Sequence, residues 1–276
     1  MPVIAVVNCK GGSGKSTLAT HLAACLAGRG MAVMLGDVDR QPSTTAWLRR
    51  RAAHALRSPP IVGRSVDPRS VLRPPQGVSH TVLDTPGGFH GFDLARTLMF
   101  ADVVLMPVCH SAFDRESAAA CYAELNRHPR VASGRCKVAA VGMRIDSRTH
   151  GEQVLREWAQ ALGLPFLGVL RETQTYVRCV ERGLSIFDLP PSRVQADLDQ
   201  WQPIMAWLDT LLDAPAVAEA GPSPRTAPAM ATRTPTALAR PRPALPLQAP
   251  QAGTPGLRRL WAWLLPLRPA PRPTRF

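Results

Sequence analysis

The sequence predicts a doubly wound α/β domain, a mostly parallel sheet with helices on both faces, followed by a disordered tail rich in Pro, Ala and Arg. Three observations predict it. Short apolar runs recur through the first 213 residues, segments of helical period lie between them, and the last 63 residues change composition abruptly. Strands buried on both faces read as continuous apolar runs, and strands alternating with helices give parallel sheets.

The elements follow in order. Residues 3–7 (Val-Ile-Ala-Val-Val) are the first strand. Residues 16–27 carry Leu18, Leu22 and Leu26 at helical spacing and are closed by Gly28 and Gly30. Residues 32–35 are a second strand, and Ser43 is placed as the N-cap of a helix running to about Arg57. Further strands are expected at 81–83, 103–106, 138–141 and 166–169, with helices around 94–100, 116–125 and 152–162 between them. A last helix, 194–212, closes a domain set at 1–213. No internal repeat is visible.

Composition narrows the class. The 276 residues provide ample material for a core, and no apolar run reaches the roughly 18–20 residues that span a bilayer. The N-terminus has no basic stretch before its apolar run, so no cleaved signal peptide is expected. Six cysteines without a CxxC spacing read as reduced thiols of a cytosolic protein. Residues 214–276 hold nine Arg against the single acid Glu219, eight of the thirteen net positive charges, and half of the 28 prolines. Such a segment buries too little apolar surface to offset its chain entropy, hence the expectation of disorder. Within it, Leu257, Leu260, Trp261, Leu264 and Leu265 fall on one helical face with Arg258 and Arg259 on the other, a short amphipathic basic helix at about 257–265.

Three motifs carry chemistry. Gly11, Gly12, Ser13, Gly14, Lys15, Ser16 and Thr17 lie between the first strand and the first helix and match GxxxxGK[ST] except for its first Gly. Glycines let successive backbone N–H groups curl around phosphates, and the helix N-terminus adds its positive end. Lys15 is positioned for the β- and γ-phosphates, and the Ser16 hydroxyl for Mg²⁺. A dinucleotide fingerprint requires Gly at 17, where Thr stands. The second motif places Asp37 and Asp39 at the C-terminal end of the second strand, where ligands of open α/β sheets gather. Both acids have an alternative role as caps of the following helix. The third is an apolar strand ending in Asp84, followed by Thr85, Pro86, Gly87 and Gly88. An acid there binds Mg²⁺ through water, and the paired glycines give the segment conformational freedom.

Lys10-Gly11-Gly12-Ser13-Gly14-Lys15-Ser16-Thr17 resembles the deviant Walker A motif of the ParA/MinD family of P-loop ATPases, and the motifs carrying the resemblance span residues 3 to about 189. The resemblance implies ATP and Mg²⁺ as cofactors. Two subunits would sandwich two nucleotides, with Lys10 crossing to the partner's phosphates. Lys10, Lys15 and Asp39 would then be catalytic, with Asp39 orienting the attacking water. Ser16, Asp39 and Asp84 would hold the metal, and residues 85–88 would form the switch. Arg40 replaces the family's usual proline after Asp39. Residues 107–114 resemble the strand-to-helix loop P-x-x-P-S-x-x-D, with His110 at the second proline. Residues 143–149 resemble N-R-x-D-x-R-T near the nucleotide base, which places Arg144 there while Met143 replaces the Asn that often contacts adenine.

Function follows as an expectation. The resemblance implies an ATP-dependent dimerisation switch, a slow hydrolase that is cytoplasmic and nucleoid-associated. It would be a homodimer when ATP-bound, would bind DNA without sequence preference, and would be reset by a cargo-associated stimulating protein. The cargo would be a plasmid, a chromosome locus or a protein assembly. Arg171, Arg178, Arg182 and Arg193 are the DNA-contact candidates. No helix-turn-helix precedes Lys10, so operator binding is not expected. The alternative is a MinD-like membrane-associated regulator using the 257–265 helix. The tail is thus open to DNA, lipid or protein contact. An iron–sulfur relative would require cluster-holding cysteines, and a pseudo-ATPase is opposed by the intact Lys10, Lys15, Ser16, Asp39 and Asp84.

Overall fold

The computed structural model describes residues 1–38, 43–146 and 148–212. Asp39, Arg40 and the tail, with its 257–265 segment, lie outside the described residues.

In chain order the elements are β1 (Val3–Val6), α1 (Lys15–Gly28), β2 (Val33–Asp37), α2 (Ser43–Arg51), β3 (Val62–Ser65) and β4 (His80–Asp84). There follow α3 (Gly91–Leu98), β5 (Val103–Val108), α4 (Ala112–Arg127), α5 (Pro129–Ala132) and β6 (Lys137–Ile145). The domain ends with α6 (Gly151–Ala161), β7 (Phe166–Arg171), α7 (Gln174–Arg182), a 3-10 turn at Ile186–Asp188 and α8 (Pro191–Leu212). The seven strands form one sheet in the order β3-β2-β4-β1-β5-β6-β7, and every adjacent pair is parallel.

Alternation of side chains across each strand divides the interior into two cores. Ile4 and Val6 of β1, Val103 and Leu105 of β5, and Val82 of β4 face α1, α2, α7 and α8, where Leu18, Leu22, Trp47, Tyr176 and Trp201 are buried. Val3, Ala5 and Val7, with Val104 and Met106, face α3, α4 and α6 and pack on Leu94, Leu98, Cys121, Leu125 and Leu155. Helices therefore cover both faces, as the sequence predicts. β1 occupies the middle of the sheet, so the loop leaving it opens between β4 and β5 at the C-terminal edge.

Some elements differ from expectation. α2 stops at Arg51, not Arg57: the backbone passes from α-helical bonding into turns, with the Ala53 N–H donating to the Arg50 carbonyl and the His54 N–H to the Arg51 carbonyl, and Arg51 turns its guanidinium onto Asp188 at 2.7 and 2.9 Å. Trp47 supports that corner by donating its indole N–H to the Leu184 carbonyl at 3.1 Å, and Arg51 lies over its ring. Ser43 is the first helical residue of α2, so the cap position falls one residue earlier, outside the described residues. β3 and α7 are additional elements. β3 is an edge strand with all four residues exposed, so no apolar run marks it. α7 carries a Thr173 side-chain cap and ends at Gly183 in the left-handed region (φ 73°). Among the described residues no helix is long and apolar enough to cross a membrane.

Candidate nucleotide site

The site is built where β1 leaves the sheet. Asn8 anchors the exit: its amide donates to the Pro107 carbonyl of β5 at 2.7 Å, and its Oδ1 accepts the Lys10 N–H at 2.9 Å. The chain then turns through Gly12 (φ 77°) and Gly14 (φ 92°), left-handed conformations that glycine adopts without strain. Gly14 is the N-cap of α1, no side chain caps the helix, and its first turn holds no acid. A Cβ at Gly11 or Gly12 would meet no atom within 4 Å. The first turn of α1 thus presents backbone N–H groups and a positive helix end to a loop with open space at Gly11 and Gly12, the requirement for a polyphosphate. Lys15 is buried and donates from Nζ to the Lys10 carbonyl at 2.8 Å, curled inside the loop it serves. Ser16 and Thr17 begin the helix beside it, and the Ser13 hydroxyl also reaches the Lys10 carbonyl, at 3.4 Å.

The acids come from the neighbouring strands. Asp84 ends β4 opposite Val6 and is 1% exposed, and Asp37 of β2 pairs with it in register. Asp37 accepts the Thr44 hydroxyl at 2.6 Å and the Thr45 N–H at 3.4 Å, so it fills the helix-capping role weighed for it. One carboxylate and one hydroxyl, Asp84 and Ser16, suit Mg²⁺, which keeps several waters and takes further oxygens from phosphates.

The segment after β4 packs directly on the loop. Thr85 is buried and donates to the Val6 carbonyl at 2.7 Å. The Gly88 N–H donates to the Cys9 carbonyl at 2.6 Å, and a Cβ at Gly87 would lie 3.0 Å from Gly11 Cα. A side chain at 87 would force the loop to give by a few tenths of an ångström, so Gly87 and Gly88 pack closely on residues 9–11. Lys10 points to the other side, where its ammonium pairs with Asp114 at the start of α4. Asp114 also accepts the Ser111 hydroxyl at 2.5 Å, and Ser111 caps α4 through the Asp114 N–H. Burial raises the Asp114 carboxyl, but its bonds from Lys10 and Ser111 more than offset this and hold it below the usual range. The sequence signal for this partner was the Ser-x-x-Asp spacing at 111–114.

Met143 is 4% exposed and its Cε would lie 2.9 Å from a Cβ at Gly14. It therefore supports the loop from beneath. Arg144 is exposed with φ 55°, at an irregularity in the β6–β7 register. Burial pushes the Cys109 thiol up, Asp114 adds to this, and Arg144 and Lys10 oppose it.

The basic candidates divide. Arg171 of β7 forms a two-point ion pair with Asp197 at 2.6 and 3.0 Å. Arg178 and Arg182 of α7 and Arg193 of α8 surround a separate cleft of about 210 Å³ floored by Cys179, Leu184, Leu189 and Val194. These three are exposed and grouped on one surface.

A parallel sheet with a glycine-rich phosphate cradle leading from its central strand into a helix defines a P-loop nucleotide-binding protein. Residues 4–186 match the CobQ/CobB/MinD/ParA nucleotide binding domain, and the chain belongs to that family. It is 33% identical over 188 residues to the "Maintenance of carboxysome distribution protein A" of Gloeobacter kilaueensis, covering 67% of this chain and 83% of that protein. Among solved structures it resembles apo McdA of Cyanothece, with a TM-score of 0.58 and 14% identity over 76% of this chain and 99% of the other. It also resembles a putative plasmid partition protein of Borrelia burgdorferi bound to AMPPNP, with a TM-score of 0.56 and 16% identity over 75% and 99% of the two chains.

Proposed function

We propose that this protein is a ParA/MinD-type positioning ATPase whose nucleotide state controls pairing of two subunits and attachment to the nucleoid. The observation that carries the reading is the packing of the 85–88 segment on the loop that holds Lys10, Lys15 and Ser16, with Gly88 bonded to Cys9, Gly87 against Gly11, and Asp84 ending the strand beside β1. Bound Mg·ATP supplies the phosphoanhydride that water cleaves. Lys15 and the α1 N-terminus hold its phosphates, Ser16 and Asp84 hold the metal with Asp39, and Asp39 orients the water. Lys10 leaves Asp114 to reach the partner subunit's nucleotide, where its charge offsets the negative charge of the transferring group. The glycine pair transmits loss of the γ-phosphate to the subunit interface.

Arg178, Arg182 and Arg193 form the DNA-contact face, binding backbone phosphates without reading sequence. Arg171 is removed from this set because Asp197 neutralises it. The similarity to a carboxysome-distribution protein favours a large protein assembly as the cargo, positioned along the nucleoid and carrying the protein that stimulates hydrolysis. The protein is then cytoplasmic.

A gel-shift assay with ATP, ADP and no nucleotide tests this directly. DNA retention is expected with ATP only, lost in Lys15→Ala and weakened in Arg178→Ala. Retention indifferent to nucleotide overturns the switch. Liposome co-sedimentation of full chain and of chain lacking 257–265 tests the membrane alternative in parallel.

A further inference from the structure

We propose that Cys9 and Cys121 form a reversible disulfide that fastens the root of the phosphate loop to α4, making this pair a redox modification site that controls the nucleotide switch. The consequence for the switch rests on the ATPase reading above; formation of the bond does not.

Placement carries the proposal. The two Sγ atoms lie 2.7 Å apart although the residues are 112 positions apart in sequence. A disulfide needs its sulfurs at about 2.05 Å, so the fold already brings the pair to bonding range. Cys9 is half-buried at the loop and Cys121 is buried in the core beneath it, so Cys9 is the more exposed residue of the two. The Cys9 sulfur also lies 3.2 Å from the Phe89 carbonyl, just after the switch glycines. The hydrogen bond with Cys121 holds the Cys9 thiol below the ordinary range, whereas that bond and burial push Cys121 up. Burial pushes Cys25 and Cys179 up to about 11 and Cys136 up to about 12, so Cys9 is set apart from these as the nucleophile.

The chemistry balances with hydrogen peroxide as the oxidant. The Cys9 thiolate attacks the terminal peroxide oxygen, the O–O bond breaks, and with one proton a sulfenic acid and one water form. The Cys121 thiol then attacks the sulfenic sulfur, the S–OH bond breaks, and the second water leaves with the Cys121 proton. Two thiols are oxidised by two electrons, and the peroxide is reduced to water. A dithiol reductant reverses the bond by exchange.

The mechanical effect follows from what each cysteine touches. The Cys9 carbonyl accepts the Gly88 N–H, and Lys10 is the next residue. Cys121 lies two helical turns beyond Asp114, the residue that holds the Lys10 ammonium. A bond between them fixes the loop root to the helix on which Lys10 is parked, and so opposes both the release of Lys10 and the rearrangement of the switch.

The test treats the full chain with hydrogen peroxide, then reads peptide masses, thiol content and ATP-dependent dimerisation. The expected result is a Cys9–Cys121 cross-linked peptide lighter by about 2 Da than the two reduced peptides, with two of the six thiols lost. ATP-dependent dimerisation and turnover should fall about tenfold or more, recover with dithiothreitol, and resist peroxide in Cys121→Ser. Absence of the cross-link in protein that stays folded by circular dichroism overturns the site. A cross-link that leaves dimerisation and turnover unchanged overturns its control of the switch. Failure of the reduced protein to bind ATP would defeat the ATPase reading, and with it the control, while the peptide masses still decide whether the bond forms.

Discussion

Replacing Asp188 by Ala should show how strongly the corner between α2 and the 3-10 turn at Ile186–Asp188 is held. Asp188 receives two N–H bonds from Arg51, at 2.7 and 2.9 Å, and two more from Ser185, through its N–H and its hydroxyl, both at 2.7 Å. The Arg51 and Asp188 side chains are 6% and 9% exposed, so solvent screens the pair little. Without the carboxylate, Arg51 keeps only long contacts to the Gly183 carbonyl at 3.4 Å and the Ser58 hydroxyl at 3.5 Å. Leaving one member of a buried pair charged and unpaired costs about 3–5 kcal/mol. For a domain of this size that is a fall in Tm of roughly 6–20 °C. Urea titration should show a lower midpoint at an unchanged slope. Arg29 and Asp209 provide the control, since their 2.7 Å pair is 38% and 40% exposed and its loss should cost under about 1 kcal/mol. Equal costs at the two sites would refute the argument that burial sets the magnitude. The sign with pH is also fixed. Burial raises the Asp188 carboxyl, but the bonds from Arg51 and Ser185 more than offset it and hold it below the ordinary 3.8. Its contribution is therefore complete above that value and is lost as pH falls through the lower folded value.

Further outcomes can be stated. His21 is wholly buried, and burial lowers it from 6.5 to about 4, so the folded state resists its protonation. Stability should fall by up to about 3 kcal/mol as pH drops from 6.5 to 4, and denaturation of His21→Gln across that range should show a flatter slope. Gly87→Ala brings a Cβ within 3.0 Å of Gly11 Cα, and should reduce ATP turnover at least about tenfold with little change in thermal stability. Gly183→Ala combines φ 73° with a Cβ 2.4 Å from the Arg51 nitrogen, and should cost more than about 2 kcal/mol by urea titration. Arg182→Ala and Arg193→Ala should each lower the slope of log K against log salt for DNA by about one, whereas Arg171→Ala should chiefly lower stability.

The sheet and the phosphate loop were legible because their signals are local. Residues 3–7 are apolar on both faces, and the glycines at 12 and 14 stand at positive φ where the loop turns. β3 gave no signal because an exposed edge strand, Val-Gly-Arg-Ser, has no face to bury. α7 did carry its signals, a Thr173 cap and a Gly183 terminus, and could have been placed from them. What spacing could not show is which distant side chains meet. The Lys10–Asp114 pair spans two elements, as do Arg171 with Asp197, Met143 under Gly14, and the two sulfurs of Cys9 and Cys121. Arg171 illustrates the cost: as one basic residue among several it reads as available charge, until the fold sets an aspartate against it.

Seating the phosphate loop on the middle strand also orders how the molecule comes apart. β1 has a neighbour on each side and no exposed residue, while β3 at one rim is fully exposed. Amide exchange should therefore be quickest along that rim and slowest at Val3–Val6. Mild denaturant would erode the periphery first, and the grip on phosphate would be among the last properties surrendered.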